Sequence, residues 1–389
     1  MKNKGRRRND RYHITYLTYI SHEMVKSRNL GVSPAAETKV NYIVKKIANK
    51  YPVRIVTFAR STLFGKHFNK IDIQINKQIR FEALSEIEPF TKLGKKLYGI
   101  VWHLKILLRM LKLGSEDIVI AYHSLTSSFE LWLAKKICGF NLVIELEEIY
   151  QDVVKCGKWK AYWEKKVISI ADSYILATEA LNKQINRNKP YVVVNGTYDV
   201  EKDRKVRFND GKIHCVYAGT LDPTKGGAAA AAAAAEFLPS NYHVHILGFG
   251  TEQQKEMILK IVNDIQKKAE CTLTYDGLKT GEEYIRFLQK CHIGLCTQIP
   301  DAKYIETSFP SKILVYLANG LRVLSVDIPA VRNSGVEDVL YYYNVQDSRE
   351  IANAIKSIDI NDTGSGREKL GKLDELFQRE IIYLLKNIR

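Results

Sequence analysis

The sequence predicts an α/β protein with two doubly wound domains, and three observations support this. The chain is 389 residues long, which is more than one ordinary hydrophobic core accommodates. Strand-like runs alternate with helix-like runs, a pattern typical of parallel sheets covered by helices. The excess of positive charge lies in the first half, which sets the two halves apart. Residues 1–196 hold 34 Lys and Arg against 17 Asp and Glu, whereas the remaining residues hold 25 basic and 26 acidic side chains.

The strand-like runs define the expected elements. They cover residues 13–20, 53–58, 71–75, 118–122, 142–146, 173–177 and 191–194 in the first half, and residues 213–217, 243–247, 272–275, 293–296, 322–326 and 339–342 in the second. The polar stretch 197–212 separates the two sets, so we expect domains over residues 1–196 and 213–366. The eight consecutive alanines at 228–235 predict a helix, since alanine is the best helix former, and a last helix is expected over residues 367–389.

Composition indicates a globular, cytoplasmic protein. Hydrophobic residues make up 46% of the chain and charged residues 26%. No run approaches the roughly 20 apolar residues of a membrane-spanning helix. The basic start of the chain leads into a polar-interrupted strand rather than the apolar segment of a signal peptide. The six cysteines show no Cys-x-x-Cys spacing, which favours free thiols in a reducing compartment: Cys138, Cys156, Cys215, Cys271, Cys291 and Cys296.

The most informative segment, residues 306–325, predicts a loop, a helix and a strand. Pro310 suits the first turn of a helix, the apolar residues after it form one stripe, and Gly320 ends the helix before the strand. Free backbone N–H groups at the start of a helix attract anions. Lys312 adds a positive charge and Glu306 a carboxylate. We therefore expect this corner to hold a phosphate-bearing ligand with hydroxyl groups.

A second anion-binding corner is expected where the strand at 213–217 continues into Gly219, Lys225 and Gly226 before the alanine helix. Glycines let the backbone approach a phosphate closely, and Lys225 supplies charge. The alternative is an ordinary strand-to-helix turn with a solvated lysine. Two further loops follow predicted strands, at the strand ends where doubly wound sheets bind ligands. These loops contain Gly248, Gly250 and Leu278.

The segment Phe309-Pro310-Ser311-Lys312, followed by a helix ending Tyr-Leu-Ala-x-Gly-x-x-Val, resembles the donor-site segment of bacterial GT-B glycosyltransferases of the retaining family-4, or group 1, type. These enzymes build capsule, O-antigen and exopolysaccharide from nucleotide sugars. The resemblance extends more weakly over most of the chain. It implies the GT-B fold, in which two Rossmann-like domains face each other across a cleft, with a C-terminal helix that returns to the first domain.

The resemblance also implies roles for individual residues. Lys225 and Lys312 would neutralise the leaving diphosphate, and Glu306 would contact the sugar hydroxyls. His123, after a first-half strand, matches the histidine-containing edge of the cleft. The other positions implied at the donor are Gly31, Gly219, Thr220, Gly226, Gly248, Gly250, Leu278 near the base, Phe309, Pro310 and Ser311.

Three positions depart from the family pattern. Thr220 stands where an arginine commonly precedes the lysine, and Val315 stands where a glutamate normally bonds the ribose. Near Glu147, many relatives have a histidine that touches the transferred sugar. Glu147 is therefore a candidate catalytic carboxylate, and the alternative is a solvated acidic strand end.

Residues 91–113 predict a long helix with two different faces. We expect one stripe to pack on the domain, formed by Leu93, Leu97, Ile100, Leu104, Leu107 and Leu111. The opposite face mixes aromatic and basic residues, and it is expected to lie on an anionic membrane through Lys95, Tyr98, Trp102 and Arg109. Residues 155–166 repeat this pattern. The alternative is a buried helix with solvated lysines.

We therefore expect a hexosyltransferase that works peripherally on the inner face of the cell membrane. It would move a sugar from a nucleotide diphosphate donor, UDP-linked rather than GDP-linked, to a lipid-linked saccharide or polysaccharide, with retention of configuration. No metal or cofactor is expected, since no Asp-x-Asp occurs and lysines can stabilise the diphosphate. Two alternatives stay open: an inactive homologue that acts as a binding partner, and a nucleic-acid-binding protein, which charge alone suggests.

Overall fold

The computed structural model describes residues 13–63, 65–87, 89–150, 156–185, 188–223, 226–300, 307–361 and 365–388. Within this part, the chain divides into two compact units. The first comprises the described residues up to Ala177, Leu181–Val194 and the residues from Phe377 onward, and the second comprises Thr178–Ala180 and Asn195–Leu376. The last helix of the chain therefore contributes residues to both units.

A mostly parallel sheet forms the centre of the first unit. Its strands, and those of a small separate pair, are β1 (Ile14–Thr18), β2 (Val53–Thr57), β3 (His67–Phe68), β4 (Ile71–Gln74), β5 (Ile79–Ala83), β6 (Glu86–Ile87), β7 (Ile118–Tyr122), β8 (Asn141–Leu146), β9 (Ser173–Leu176) and β10 (Tyr191–Val193). The sheet order is β10-β9-β8-β7-β1-β2-β5-β4, and only the β4–β5 edge is antiparallel. Strands β3 and β6 pair with each other.

Helices cover this sheet, and polar residues define where they begin. They are α1 (Pro34–Ala48), α2 (Lys92–Met110), α3 (Ser128–Cys138), α4 (Lys158–Ile170) and α5 (Glu179–Ile185). The hydroxyls of Ser33 and Thr91 accept hydrogen bonds from backbone N–H groups in the first turns of α1 and α2. Gly139 ends α3 with a positive φ of 72°, a conformation that suits glycine.

The second unit is a six-stranded sheet with helices α6 to α12. Its strands are β11 (Ile213–Thr220), β12 (Tyr242–Phe249), β13 (Thr272–Gly277), β14 (Ile293–Cys296), β15 (Arg322–Val326) and β16 (Tyr341–Tyr343), in the order β13-β12-β11-β14-β15-β16 with every pair parallel. Its helices are α6 (Gly227–Ala234), α7 (Glu252–Gln266), α8 (Gly281–Leu288), α9 (Lys312–Ala318), α10 (Pro329–Arg332), α11 (Ser348–Lys356) and α12 (Gly366–Asn387). The predicted alanine helix is confirmed as α6.

The strand and helix alternation is as expected, except for three strands and one strand boundary. Strands β3, β5 and β6 were absent from the prediction, and Arg80 and Glu82 give β5 the charged sequence of a surface segment. The strand expected over residues 339–342 begins later, at Tyr341, because Glu337–Val339 form a 3₁₀ turn. No described helix has the length and apolar character needed to cross a bilayer.

Much of α2 is turned the opposite way from the sequence expectation, although Leu107 and Leu111 of the leucine stripe are partly buried against the core as expected. Tyr98 and Trp102 are only 7% and 3% exposed and pack into the core of the first unit with Ile106. In contrast, Leu93 and Ile100 are 68% and 70% exposed. The expectation that Tyr98 and Trp102 face a membrane is therefore wrong. Large aromatic rings bury more apolar area than leucine does, which favours placing them in the core.

A buried ion pair fixes the same orientation of α2. Arg109 donates hydrogen bonds from Nε to Oε1 of Glu82 at 2.9 Å and from Nη2 to Oε2 at 2.8 Å. Burial tends to raise the pKa of Glu82, but the hydrogen bonds and charge of Arg109 more than offset this and lower it. A bidentate pair fixes geometry as well as charge. Arg109 therefore belongs to the core and not to a membrane surface, while Lys95 is half-exposed.

Two alanine substitutions on α2 should separate its faces. We expect Trp102→Ala to lower the free energy of unfolding by about 3–5 kcal/mol, because it empties a buried aromatic position. Leu104→Ala, on the exposed face, should change it by no more than about 0.5 kcal/mol. Urea denaturation of both variants measures this. A larger loss for Leu104→Ala than for Trp102→Ala would contradict the orientation.

Candidate functional site

In the second unit, Lys312 lies at the carboxyl end of β11. Its Nζ is 4.0 Å from the ring centroid of Tyr217, a cation–π contact. A Cβ atom added to Gly219 would lie only 2.9 Å from this Nζ, so the glycine makes room for the ammonium group. Within the described residues, the partner of Lys312 is an aromatic ring and not a carboxylate. A ring holds an ammonium group in place without neutralising its positive charge.

Hydroxyl groups fix the strands and loops around this lysine. Tyr217 donates to the carbonyl oxygen of Thr220 at 3.0 Å. The hydroxyl of Tyr316, on α9, accepts the backbone N–H of Ala218 at 2.8 Å, which ties α9 to β11. Thr297 donates to the carbonyl oxygen of Gly227 at the start of α6 at 2.7 Å. Sequence reasoning missed Tyr217 and Thr297, which lie in or beside predicted strand ends, and Tyr316, which lies in the predicted helix.

The positions where glycines were expected to bind the donor require glycine for different structural reasons. Gly226 has a positive φ of 65° directly before α6, which suits glycine. A Cβ atom at Gly248 would lie 2.1 Å from the carbonyl oxygen of Gly219 on the neighbouring strand, so close strand packing requires glycine there. A Cβ atom at Gly250 would lie 2.6 Å from Oε1 of Gln254, within the capping box that begins α7. Only Gly219 leaves space beside Lys312.

The remaining donor positions lie on the same edge or outside the described residues. Phe309 and Pro310 are buried, whereas Ser311 is exposed immediately before Lys312. Leu278 follows β13 and is exposed, as is Phe249 at the end of the adjacent strand β12. Two predicted residues lie outside the described part of the chain, namely Lys225 and Glu306.

The first unit carries a buried acidic cluster at the end of β8. Oη of Tyr16 donates to Oε2 of Glu145 at 2.5 Å, and Nζ of Lys39 lies 2.6 Å from Oε1 of Glu147. Burial, reinforced by the charge of Glu147, raises the pKa of Glu145 to about 8. Glu147 is more exposed than Glu145 and forms an ion pair with Lys39. It is therefore not a freely solvated strand end, which was the alternative interpretation from the sequence. Glu145 was missed because nothing in the sequence distinguishes it from its acidic neighbours.

His123 lies beneath an aromatic ring in the same unit. Its ring stacks on Tyr150 with centroids 5.1 Å apart, and its Nε2 lies 3.3 Å from Oε1 of Glu164. Burial lowers the pKa of His123 to about 4, so it is neutral near pH 7. Gly31 is exposed, and a Cβ atom there would meet only the methyl group of Thr62 at 3.5 Å, so no packing constraint requires glycine.

Comparisons with known proteins identify the fold. Neither family models nor curated proteins give a match. Among solved structures, the chain is similar to sucrose-phosphate synthase from Thermosynechococcus elongatus, with 15% identity, 97% of this chain and 99% of that chain covered, and a TM-score of 0.68. It is also similar to the E. coli trehalose-6-phosphate protein bound with UDP-2-fluoro glucose, with 11% identity, coverage of 97% and 99%, and a TM-score of 0.69.

A third similar structure is HepE from Anabaena in complex with UDP and glucose. It shares 12% identity with this chain, the alignment covers 97% of this chain and 100% of that chain, and the TM-score is 0.65. Likeness at this identity establishes fold. The predicted fold class is confirmed: the chain has the GT-B fold, with two Rossmann-like units.

The pKa of Glu145 predicts a pH dependence of stability. The unfolded carboxyl ionises near pH 4.5 but the native one only near pH 8, so the unfolded state binds fewer protons between these values. The free energy of unfolding should therefore fall as pH rises through this window, by up to about 1.4 kcal/mol per pH unit. Glu145→Gln should flatten that slope, as measured by urea denaturation at pH 5, 6, 7 and 8.

The matched control for this experiment is Glu116→Gln, which removes an exposed carboxylate from the same unit. It should leave the slope of stability against pH unchanged. Equal slopes in the native chain and in Glu145→Gln would show that Glu145 ionises normally.

Proposed function

We propose that this protein is a hexosyltransferase that uses a nucleotide diphosphate sugar, with UDP as the nucleotide. The observation that carries the proposal is the ammonium group of Lys312, held over Tyr217 at the carboxyl end of β11 and next to Gly219. Ligands of doubly wound sheets bind at this edge. Structures with the same fold contain UDP, UDP-2-fluoro glucose and glucose, which supports the choice of donor.

In this proposal, Lys312 stabilises the charge that grows on the leaving diphosphate. A fixed positive charge is most effective where charge develops in the transition state. Ser311 adds an exposed hydroxyl beside it, and Lys225 adds a second ammonium group. The transfer retains anomeric configuration, and Glu306 contacts the sugar hydroxyls. These roles follow from the family resemblance of the Phe309–Lys312 segment.

The base of the nucleotide would lie near two exposed apolar side chains. Phe249 and Leu278 follow the adjacent strands β12 and β13, at the same edge as Lys312. Apolar side chains exposed beside a charged corner suit a ligand with a flat ring at one end and phosphates at the other. The first unit would supply the acceptor side, with Glu147 as its candidate catalytic carboxylate and His123 as a further candidate.

Replacement of Lys312 tests the donor corner. Lys312→Met keeps the apolar stem over Tyr217 but removes the charge, so turnover of the UDP-sugar should fall by at least about tenfold. The rate of UDP release, with and without acceptor, measures this. Lys260→Met, which removes an exposed lysine from α7, is the matched control and should retain the native rate.

The same assay tests whether a metal ion takes part. No divalent metal is proposed at the phosphates, so adding Mg²⁺ or Mn²⁺ should leave the rate unchanged. Native rates in Lys312→Met would contradict the donor assignment. If the native chain binds UDP-sugars but neither transfers nor hydrolyses them, it is an inactive homologue with a binding role.

We also propose that the acceptor is lipid-linked, as in surface-glycan synthesis, and that the first unit docks on the inner face of the membrane through the outer face of α2. This face is apolar and consists of exposed side chains at helical spacing: Leu93, Leu97, Ile100, Val101, Leu104 and Leu108. Contiguous exposed apolar surface of this kind marks an interaction site. Lys92 and Lys96 are exposed at its amino-terminal end.

A second element on the same helical layer adds aromatic and basic residues. Helix α3 packs against both α2 and α4. On α4, Trp159 is 66% exposed, and Tyr162 is exposed with Lys166 against its ring at 5.4 Å. Aromatic and basic residues around an apolar face are typical of helices that lie in a membrane interface. The excess positive charge of residues 1–196 favours an anionic bilayer as the partner.

Polar substitutions on the outer face of α2 test this surface. Leu97→Gln, Ile100→Gln and Leu104→Gln together should weaken binding to phosphatidylglycerol vesicles at least about tenfold, because three exposed side chains lose their apolar insertion. The fold should survive, since all three lie outside the core. Vesicle co-sedimentation measures binding, and Leu259→Gln on α7 is the control.

Charge has its own test in the same assay. Lys92→Glu with Lys96→Glu should weaken binding to anionic vesicles but not to neutral phosphatidylcholine vesicles, since each lysine near an anionic surface contributes about 1 kcal/mol. If the triple glutamine variant still sediments as the native chain does, the outer face of α2 serves another partner. In that case, retardation of random oligonucleotides would identify nucleic acid.

A further inference from the structure

Three histidines of the second unit lie together on one face of its sheet. His214 on β11 pairs with His243 on β12, and His245 follows on the same face of β12. The rings of His243 and His245 stack with centroids 3.8 Å apart, and the ring of His214 lies 5.2 Å from that of His245. Each of the three histidines offers one ring nitrogen, and these nitrogens lie within 4.8 Å of one another.

Hydrogen bonds on the outside of this histidine cluster fix the tautomers. Nε2 of His214 lies 2.9 Å from Oδ1 of Asp210, and Nδ1 of His245 lies 3.0 Å from Oδ2 of Asp276. An ionised carboxylate only accepts hydrogen bonds, so both outer nitrogens carry protons.

In these tautomers, two ring nitrogens inside the cluster face each other without a hydrogen bond. Nδ1 of His214 and Nε2 of His245 lie 2.9 Å apart, and neither carries a proton when both rings are neutral. Two lone pairs then face each other. The two residues are 1% and 2% exposed, so water does not separate or screen them. A cation between these nitrogens would remove the conflict, and the candidates are a proton and a metal ion.

We propose that His214, His243 and His245 bind a divalent transition metal ion, with zinc as the best match. Neutral imidazole is a preferred ligand of zinc. Carboxylates that accept the second ring N–H of a ligating histidine orient the ring, as Asp210 and Asp276 would here. Zinc–nitrogen bonds of about 2.0–2.1 Å at tetrahedral angles place ligand atoms roughly 3.3 Å apart. The nitrogens of His214 and His245 are 2.9 Å apart on nearly coplanar rings, so they have to separate and the rings have to turn to admit the ion.

The third histidine favours a metal over a proton. Thr274 donates to Oδ2 of Asp276 at 2.7 Å, so its oxygen accepts from Nε2 of His243 at 3.0 Å. That leaves Nδ1 of His243 with a lone pair. A shared proton needs two nitrogens, whereas zinc uses three protein ligands and a water molecule.

The surroundings of the cluster suit a metal ion. Phe208 stacks on His214 with centroids 4.0 Å apart, and Phe287 lies edge-on to His245 at 5.1 Å, which gives the cluster an apolar cover. His243 is half-exposed and provides a path for entry. The histidines lie in the amino-terminal halves of β11 and β12, while Lys312 lies at the carboxyl end of β11. The metal proposal therefore does not rest on the proposed glycosyl transfer.

Zinc titration of the full chain tests the proposal. Chelator-treated protein without an affinity tag is titrated with Zn²⁺ in competition with a chromophoric chelator, and we expect one zinc ion per chain. His243→Gln and, separately, Asp276→Asn should each weaken binding at least about tenfold. His67→Gln, an exposed histidine on β3, is the control and should bind as the native chain does. Mg²⁺ should not compete, because it prefers oxygen ligands.

Cobalt gives a second measurement that does not depend on affinity alone. Co²⁺ in place of zinc should show the visible absorption of a tetrahedral site in the native chain and in His67→Gln, but not in His243→Gln. Circular dichroism verifies that the variants fold. If the native chain binds zinc no more tightly than His243→Gln and Asp276→Asn do, a proton occupies the cluster and the proposal is overturned.

Discussion

Parallel pairing of the strands is the constraint on which the rest of this structure depends. Helices connect parallel strands and cover both faces of the sheet, so most strand residues must be apolar. All carboxyl ends of the strands meet at one edge, where loops and helix starts collect polar side chains. In the second unit, this edge brings Lys312 from α9 to Gly219 on β11, although the two residues are far apart in the sequence. The position of Lys312 beside Gly219 is therefore a property of the fold itself.

The charged groups of the protein fall into two kinds, and their partners distinguish them. Arg109 with Glu82 and Lys39 with Glu147 are ion pairs whose charges cancel locally. Breaking the buried pair of Arg109 and Glu82 would leave an uncompensated charge, which is why the role of that pair is structural. Lys312 is different, because its partner among the described residues is an aromatic ring, which fixes its position. The attraction of a ring for an ammonium group is electrostatic but does not neutralise it.

Sequence patterns predicted the elements better than the orientation of their side chains. The alternation of strands and helices, the alanine helix and the segment around Lys312 were readable, since they depend on local propensity and short motifs. The orientation of α2 was not, because its leucine stripe and its aromatic stripe both have helical spacing. The bidentate pair of Arg109 with Glu82 decides which stripe faces the core. Glu82 lies on β5, a strand that was not predicted.

The other chemically important groups could not be predicted from the sequence, because they come together through long-range contacts. Tyr217 and Lys312 come together only through the packing of α9 on β11. His214 and His245 are 31 residues apart, and their meeting depends on the register of β11 against β12, which no local pattern specifies. Asp276 reaches His245 from a β-bulge, since Tyr275 and Gly277 pair with consecutive residues of β12 and leave it unpaired. Bulges redirect side chains in this way, so a one-residue irregularity in β13 gives the histidine cluster its second carboxylate.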